Sequence, residues 1–387
     1  MYQTLNATVS VTVSLIVILM SVAAAETSVR PGAIEMDKTQ NVDAVPGDVI
    51  ELEDSENKSE FIIAPLPSHD ALFGWSVSVP LMFMYKPDFT TPEDQTWVSG
   101  VVGFYAENDS WGAGGFHKMS VGGDQWRLKG ALFHADMRYD FFGIGGDPDT
   151  SVPLRQPLTI ALAEALREVV DDFYLGLRIA YIETDASIDS SGGFVPPEPI
   201  PPDINVDYSL VTLAPSLQFD TRDDQFYPTA GYFIEGQVAL GREWLGSDTE
   251  YEKYELDVNH YLKFGKSGVI GLRGILQYAG GDAPFFVFPA YGANVDLRGY
   301  KTGSYRDRFL FATQAEYRHR FTQRIGAVVF AGIGTVADEF ARWDETLPSA
   351  GAGFRFVLAP KNNVSLRVDY AWGKDDHQFY VGIGESF

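Results

Sequence analysis

The sequence predicts an all-β protein, a transmembrane antiparallel β-barrel of sixteen strands of the outer-membrane type, and three observations carry that prediction. Long runs alternate apolar and polar residues with period two, as a ribbon with one apolar and one polar surround requires. The runs extend about 11 to 15 residues, long for a soluble sheet and right for a tilted crossing of a bilayer. Aromatic residues make up 14% of the 387-residue chain, with 27 Phe and 19 Tyr. They gather at run ends (Tyr139, Phe141, Phe142; Tyr181; Phe285, Phe286, Phe288), where belts at a membrane surface would lie.

Composition removes several alternatives. Cysteine is absent, so no disulfide or thiolate-held metal supports the fold. A formal net charge of −24 leaves no basic surface for nucleic acid or for polybasic docking on anionic lipid. There is no Gly-x-Ser-x-Gly elbow, His-Glu-x-x-His pair or phosphate-cradling Gly-x-x-x-x-Gly-Lys-Ser/Thr loop, and the six histidines are scattered. Neither an enzyme nor a cofactor is expected.

Residues 1–25 read as a signal peptide. The apolar run Val11–Val22 is too short to span a bilayer, and Ala23-x-Ala25 fits a cleavage site. From Glu26 to Glu60 ten acids stand against Arg30, Lys38 and Lys58. Such a segment cannot bury enough apolar surface to offset chain entropy, so 26–59 is expected to be an acidic disordered arm.

The barrel occupies 60–387. Its sixteen runs start near Glu60, Leu72, Thr96, Trp111, Gln125, Leu154, Asp171, Asp207, Ala230, Tyr251, Ser267, Arg308, Ile325, Pro348, Val364 and Gln378. Trp75, Val77, Val79, Leu81, Phe83 and Tyr85 form one apolar face, and Val364, Leu366, Val368, Tyr370 and Trp372 another. His134, Asp136, Arg138 and Asp140 read as a charged face toward the barrel interior. An even count with both ends on one side puts Phe141–Pro153, Ala186–Val206, Gly281–Tyr305 and Thr335–Leu347 outside the cell. Short turns then fall on the periplasmic side. The Pro-rich stretch Val195–Pro202 reads as a stiff external loop.

Within the long irregular segment Gly281–Tyr305 lies Val295-Asp296-Leu297-Arg298-Gly299-Tyr300. An arginine bracketed by Leu297 and Tyr300 is not built like a solvated tip, and a buried guanidinium needs carboxylate acceptors. The expectation is a loop folded into the barrel, with Arg298 paired there.

Four segments together resemble the bacterial surface antigen family, the barrel domain of outer-membrane assembly factors of the BamA and TamA type. They are Phe219-Asp220-Thr221-Arg222-Asp223 with Pro228-Thr229-Ala230-Gly231, Asp296–Tyr300, Glu316-Tyr317-Arg318, and the closing stretch Phe379–Phe387. The resemblance implies a sixteen-stranded barrel that inserts or translocates other proteins. It also implies an arginine loop paired with a carboxylate, and a terminal aromatic, Phe387, as the sorting signal. Asp220, Arg222, Asp223, Pro228 and Gly231 would form a self-paired periplasmic turn. Where assembly members carry an aspartate, this chain has Gly332 in Phe330-Ala331-Gly332-Ile333-Gly334. The acceptor of Arg298 is therefore sought at Glu316, then Asp369. No periplasmic substrate-binding modules precede the barrel in this sequence, and fold-level likeness alone does not transfer function.

The expected function is a monomeric outer-membrane barrel handling polypeptide or lipid. Its partners would be membrane lipids and lipopolysaccharide, the assembly machinery during insertion, and a client. Alternatives are a passive porin-like channel and a structural surface barrel. A lateral seam would distinguish the first, with first and last strands interrupted at Pro65, Pro67, Gly382 and Gly384.

Overall fold

The computed structural model describes residues 59–70, 73–141, 152–189, 206–292, 297–301, 305–374 and 376–387. The segments assigned to leader and arm, the Pro-rich loop and Asp296 lie outside these residues. Regular structure is one antiparallel sheet of seventeen strands with two three-residue 3-10 turns. No helix among the described residues is long and apolar enough to cross a membrane.

The strands are β1 (Glu60–Ile63), β2 (Leu66–Asp70), β3 (Gly74–Tyr85), β4 (Trp97–Ala106), β5 (Trp111–Val121), β6 (Trp126–Phe141), β7 (Val152–Val170), β8 (Phe173–Ile188), β9 (Val206–Asp220), β10 (Gly231–Gly241), β11 (Tyr251–Phe264), β12 (Gly268–Gly281), β13 (Phe309–Arg320), β14 (Ile325–Ala337), β15 (Leu347–Ala359), β16 (Val364–Trp372) and β17 (His377–Ile383). From β3 onward each strand pairs antiparallel with the next. Such a meander needs only local hairpin connections.

Seventeen segments replace the expected sixteen because the first run is broken. Glu60–Ile63 pairs with Leu81–Met84, and Leu66–Asp70 pairs with Gly74–Ser78, both on β3. Ala64 and Pro65 separate them; proline has no N–H to give a ladder. Strand order brings β17 beside β2. β17 and β2 are hydrogen-bonded neighbours in that order, but with seven and five residues they make a short junction, a seam where two brief strands meet.

Alternation decides which face meets lipid. Trp75, Val77, Val79 and Phe83 are exposed, whereas Met82 and Met84 on the opposite face are buried. The same parity exposes Leu175, Leu177 and Ile179 on β8 and Val329 and Ile333 on β14. With no water in the hydrocarbon, closure of backbone hydrogen bonds within the sheet is what allows such a wall.

On β6 the expected charged interior is inverted. Phe133, Ala135, Met137 and Tyr139 are buried, while His134 is exposed and Asp136 pairs with the exposed Arg155 at 2.5 Å. The cause is length. β6, β7 and β8 run 16, 19 and 16 residues, beyond the roughly 9–11 that span a bilayer. Past the hydrocarbon the outer wall meets water and can carry charge. The interior there is packed with apolar side chains, among them Phe104, Phe116, Phe133, Met137, Leu158 and Ile160. Phe286 and Phe288, read as belt residues, join the same buried cluster, as does Tyr139.

The seam should therefore be the most labile part of the sheet. In hydrogen-exchange mass spectrometry of the folded barrel, amides of β2 and β17 should exchange before those of β6–β8. Equal protection would mean that this short junction holds as firmly as the long ladders.

Candidate functional site

The segment between β12 and β13 returns to the barrel instead of running over its surface. Val287, Phe288, Ala290 and Tyr291 are buried, and Ala290 bridges to Arg306. Tyr291 donates its hydroxyl to the carbonyls of Phe311 and Thr335. Further along, Leu297, Arg298 and Tyr300 are each 1% exposed.

Arg298 sits between two strands. Its Nη1 donates to Asp369 Oδ2 at 2.7 Å and its Nη2 to Glu316 Oε2 at 2.6 Å. Nε points at Gln314 Oε1, 3.4 Å away, and the guanidinium carbon lies 3.3 Å from the Phe330 ring centroid. A planar fork that bridges two carboxylates and stacks on a ring is a task for arginine and not for lysine.

Three glycines make the room. Gly299 has φ +110°, and a Cβ there would lie 2.6 Å from the carbonyl carbon of Trp372. Its N–H donates to the Tyr380 hydroxyl. A Cβ on Gly332 would reach 2.8 Å from Leu297 Cδ1, so this glycine seats the loop where relatives are expected to carry aspartate. Gly353 lies opposite Asp369 in the β15–β16 register, and a Cβ there would fall 1.9 Å from Asp369 Oδ1.

Tyr300 closes the loop. Its hydroxyl donates to the Pro348 carbonyl at 2.5 Å and accepts from the Lys374 N–H at 3.1 Å. Burial pushes this phenol up to about 12, so it remains a donor across the physiological range.

Around this core the ion pairs continue. Arg355 donates to Asp369 Oδ1 at 2.5 Å and to Glu385 Oε2 at 2.7 Å; Arg318 donates to Glu316 Oε1 at 2.8 Å. Arg367 Nε lies 4.0 Å from Asp369. Four guanidinium groups thus face three carboxylates, with no cluster of three or more metal-ligating side chains among the described residues.

The other sequence-predicted residues lie elsewhere. In the turn after β9, Asp220 accepts from Arg222 Nε at 2.9 Å and from Arg127 at 3.2 Å. Arg222 lies 4.0 Å from the centre of the Phe233 ring. Asp223 accepts from the N–H groups of Thr229 and Ala230 and from the Thr229 hydroxyl. Partial burial opposes its ionisation, but these donors and Lys263 outweigh it and hold the carboxyl below its ordinary value. Pro228 is buried, and Gly231 has φ +102° with the Thr221 carbonyl 2.2 Å from where a Cβ would stand. Phe387 lies past the end of β17. It packs on the cluster of Tyr227, Phe233, Tyr261 and Val269, and its main-chain oxygen accepts from Arg318.

Phe330, Arg355, Glu385, Gln314 and Tyr380 were not assigned roles from the sequence. Only the strand register reveals them, because each joins the arginine loop or the ion pairs around it from a different strand or from the segment after β17.

Removing Arg298 should be costly, because it leaves two buried carboxylates with less compensation. Arg298→Ala is expected to lose about 3–5 kcal/mol in urea unfolding followed by gel mobility. Arg298→Lys should recover only part of it. At the turn, Asp223 contributes stability that is complete above its unfolded-state value, near 3.8, and fades as the pH falls through its lower folded value. Acidification should therefore raise protease cleavage within 221–230, and Asp223→Asn should abolish that acid dependence.

A family model described as the Omp85 superfamily domain matches residues 168–387. Among solved structures the chain is similar to BamA from Haemophilus ducreyi lacking POTRA domains 1-3, at TM-score 0.54 and 15% identity, covering 85% of this chain and 70% of that one. It is similar to CdiB from Acinetobacter baumannii at TM-score 0.56 and 12% identity, covering 84% and 59%. CdiB from Escherichia coli follows at TM-score 0.57 and 9% identity, covering 88% and 63%. The chain therefore spans between 59% and 70% of those proteins' lengths, and the likeness at such identities is one of fold. No curated protein matches the chain by sequence. With more than half of its length inside the family model, the chain belongs to the Omp85 superfamily, as an outer-membrane β-barrel of a Gram-negative bacterium with a barrel domain of the BamA/TamA type.

Proposed function

We propose that this barrel handles polypeptide or lipid at the outer membrane as an assembly or translocation factor, with the loop carrying Arg298 as a plug held in the barrel. The observation that carries the reading is the seam. Thirteen consecutive strands, β4 through β16, are each laddered on both sides, whereas the seam is formed by the short β2 and by β17 of seven residues. A lateral route for a client would open there. The passive-channel reading has less support, because apolar packing and the arginine loop occupy much of the interior.

The plug and the seam are separately testable. Arg298→Ala should loosen the loop, raising both single-channel conductance in planar bilayers and protease sensitivity near 297–301; no change in either would remove the plug. Since the chain lacks cysteine, one cysteine in β2 and one in β17 can tether the seam. Oxidation should abolish the client-dependent phenotype and reduction restore it, with proteomics of depleted cells defining the client. Full activity in the oxidised state would exclude a lateral route.

A further inference from the structure

The loop between β14 and β15 does not cover the barrel mouth. It folds back over the outer wall. Phe340 packs edge-on against Phe309 and Tyr278, with ring centroids 5.4 and 5.6 Å apart, and Trp343 lies 6.0 Å from Phe311. These contacts are on the lipid-facing side. Phe309 is opposite Ala337 and Phe311 opposite Thr335 in the ladder, and Thr335 and Ala337 share the parity of the exposed Val329 and Ile333. Thr335 and Ala337 are nonetheless buried, as is Phe309, because the loop lies on top of them.

The two aromatics that do the covering are themselves open, Phe340 at 57% and Trp343 at 47% exposure. Between them, Ala341 adopts φ +61°, a left-handed conformation that is uncommon for a residue with a Cβ. Most charges of the loop are paired: Arg342 with Asp338 at 2.9 Å and with Asp344 at 2.6 Å, and Glu345 with Lys374 of the β16–β17 turn. The Trp343 indole N–H is taken by the Thr346 hydroxyl at 2.9 Å. What remains unpartnered is an apolar patch continuous with the hydrocarbon-facing wall below it.

We propose that this loop is a membrane-interface anchor, with Phe340 and Trp343 seated at the headgroup–acyl boundary of the outer leaflet. Aromatic side chains favour that depth, and the occupant is set by continuity: the wall beneath the loop already faces lipid. The paired charges can stay at headgroup level without losing a partner to hydrocarbon.

The absence of native cysteine allows nitroxide labels at single positions in the full chain, refolded into dioleoylphosphatidylcholine vesicles. Labels at Phe340→Cys and Trp343→Cys should relax faster with oxygen than with a water-soluble nickel complex. A label at Glu339→Cys should show the reverse. Nickel-dominated relaxation at 340 and 343 would overturn the anchor. Exclusion of both relaxants would overturn it too, because protein, including a second copy of this chain, would then cover the patch. A milder variant gives an independent reading: brominated phosphatidylcholine should quench a smaller share of tryptophan emission in Trp343→Phe than in the parent, and equal quenching would count against lipid contact.

Discussion

A guanidinium removed from water cannot be left alone, and this constraint organises the barrel interior. Arg298 reaches Glu316 on β13 and Asp369 on β16 while its face rests on Phe330 of β14. Three separate strands must hold their register for that to happen. Each charged group added to compensate another brings its own need: Glu316 also takes Arg318, and Asp369 also takes Arg355, which takes Glu385. Desolvation of such ions is expensive, and replacing the network with apolar residues could give a more stable barrel. Its persistence here is better understood as positional: it fixes where one loop lies, at a cost in stability.

The interior is divided between apolar and ionic clusters. Methionines, phenylalanines and leucines of β3–β8 form the first, although the same strands also hold buried ion pairs, Arg127 with Asp220 and Arg178 with Glu164. The ionic network around Arg298 lies toward β13–β16. The segment after β12 spans the division, with Phe286–Phe288 in the apolar cluster and Arg298 in the ionic one. Releasing it would require undoing both. An apolar surface would meet water at one end and unpaired charge would remain at the other. On the proposed plug reading, two dissimilar attachments make the loop open as a unit or not at all, which suits a gate better than a constriction that merely narrows a pore.

Much of the strand pattern was legible because lipid imposes a strict alternation: the observed starts at Gly74, Trp97, Trp111, Trp126, Gly231, Tyr251, Gly268 and Phe309 lie within about two residues of those expected from periodicity. The rule failed where its premise did. On β6 the oil-outside assumption no longer holds past the bilayer, so His134 and Asp136 were placed on the wrong face. Arginine 298 was legible as a buried group because apolar residues flank it. Its wider network was not, since Arg355, Glu385 and Phe330 converge only once register is fixed. Gly353 carried a signal in retrospect: a glycine directly across the ladder from an aspartate leaves space for a carboxylate turned inward.

The same physics locates where such a barrel could yield. In hydrocarbon, each backbone group that loses its partner has no water to replace it, so parting any fully laddered pair would cost several unsatisfied groups at once. β6 and β7 share sixteen register pairs; separating them is prohibitive. At the seam the proline-interrupted first strand has fewer donors to lose, and β17 gives way after Ile383 to a segment that turns toward Arg355 and Tyr261. The residues following β17 thus satisfy themselves within the barrel instead of extending the edge ladder. A rigid ionic interior and a short edge pairing are complementary consequences of one arrangement: residues that could have lengthened the β17–β2 junction are used to pack the inside.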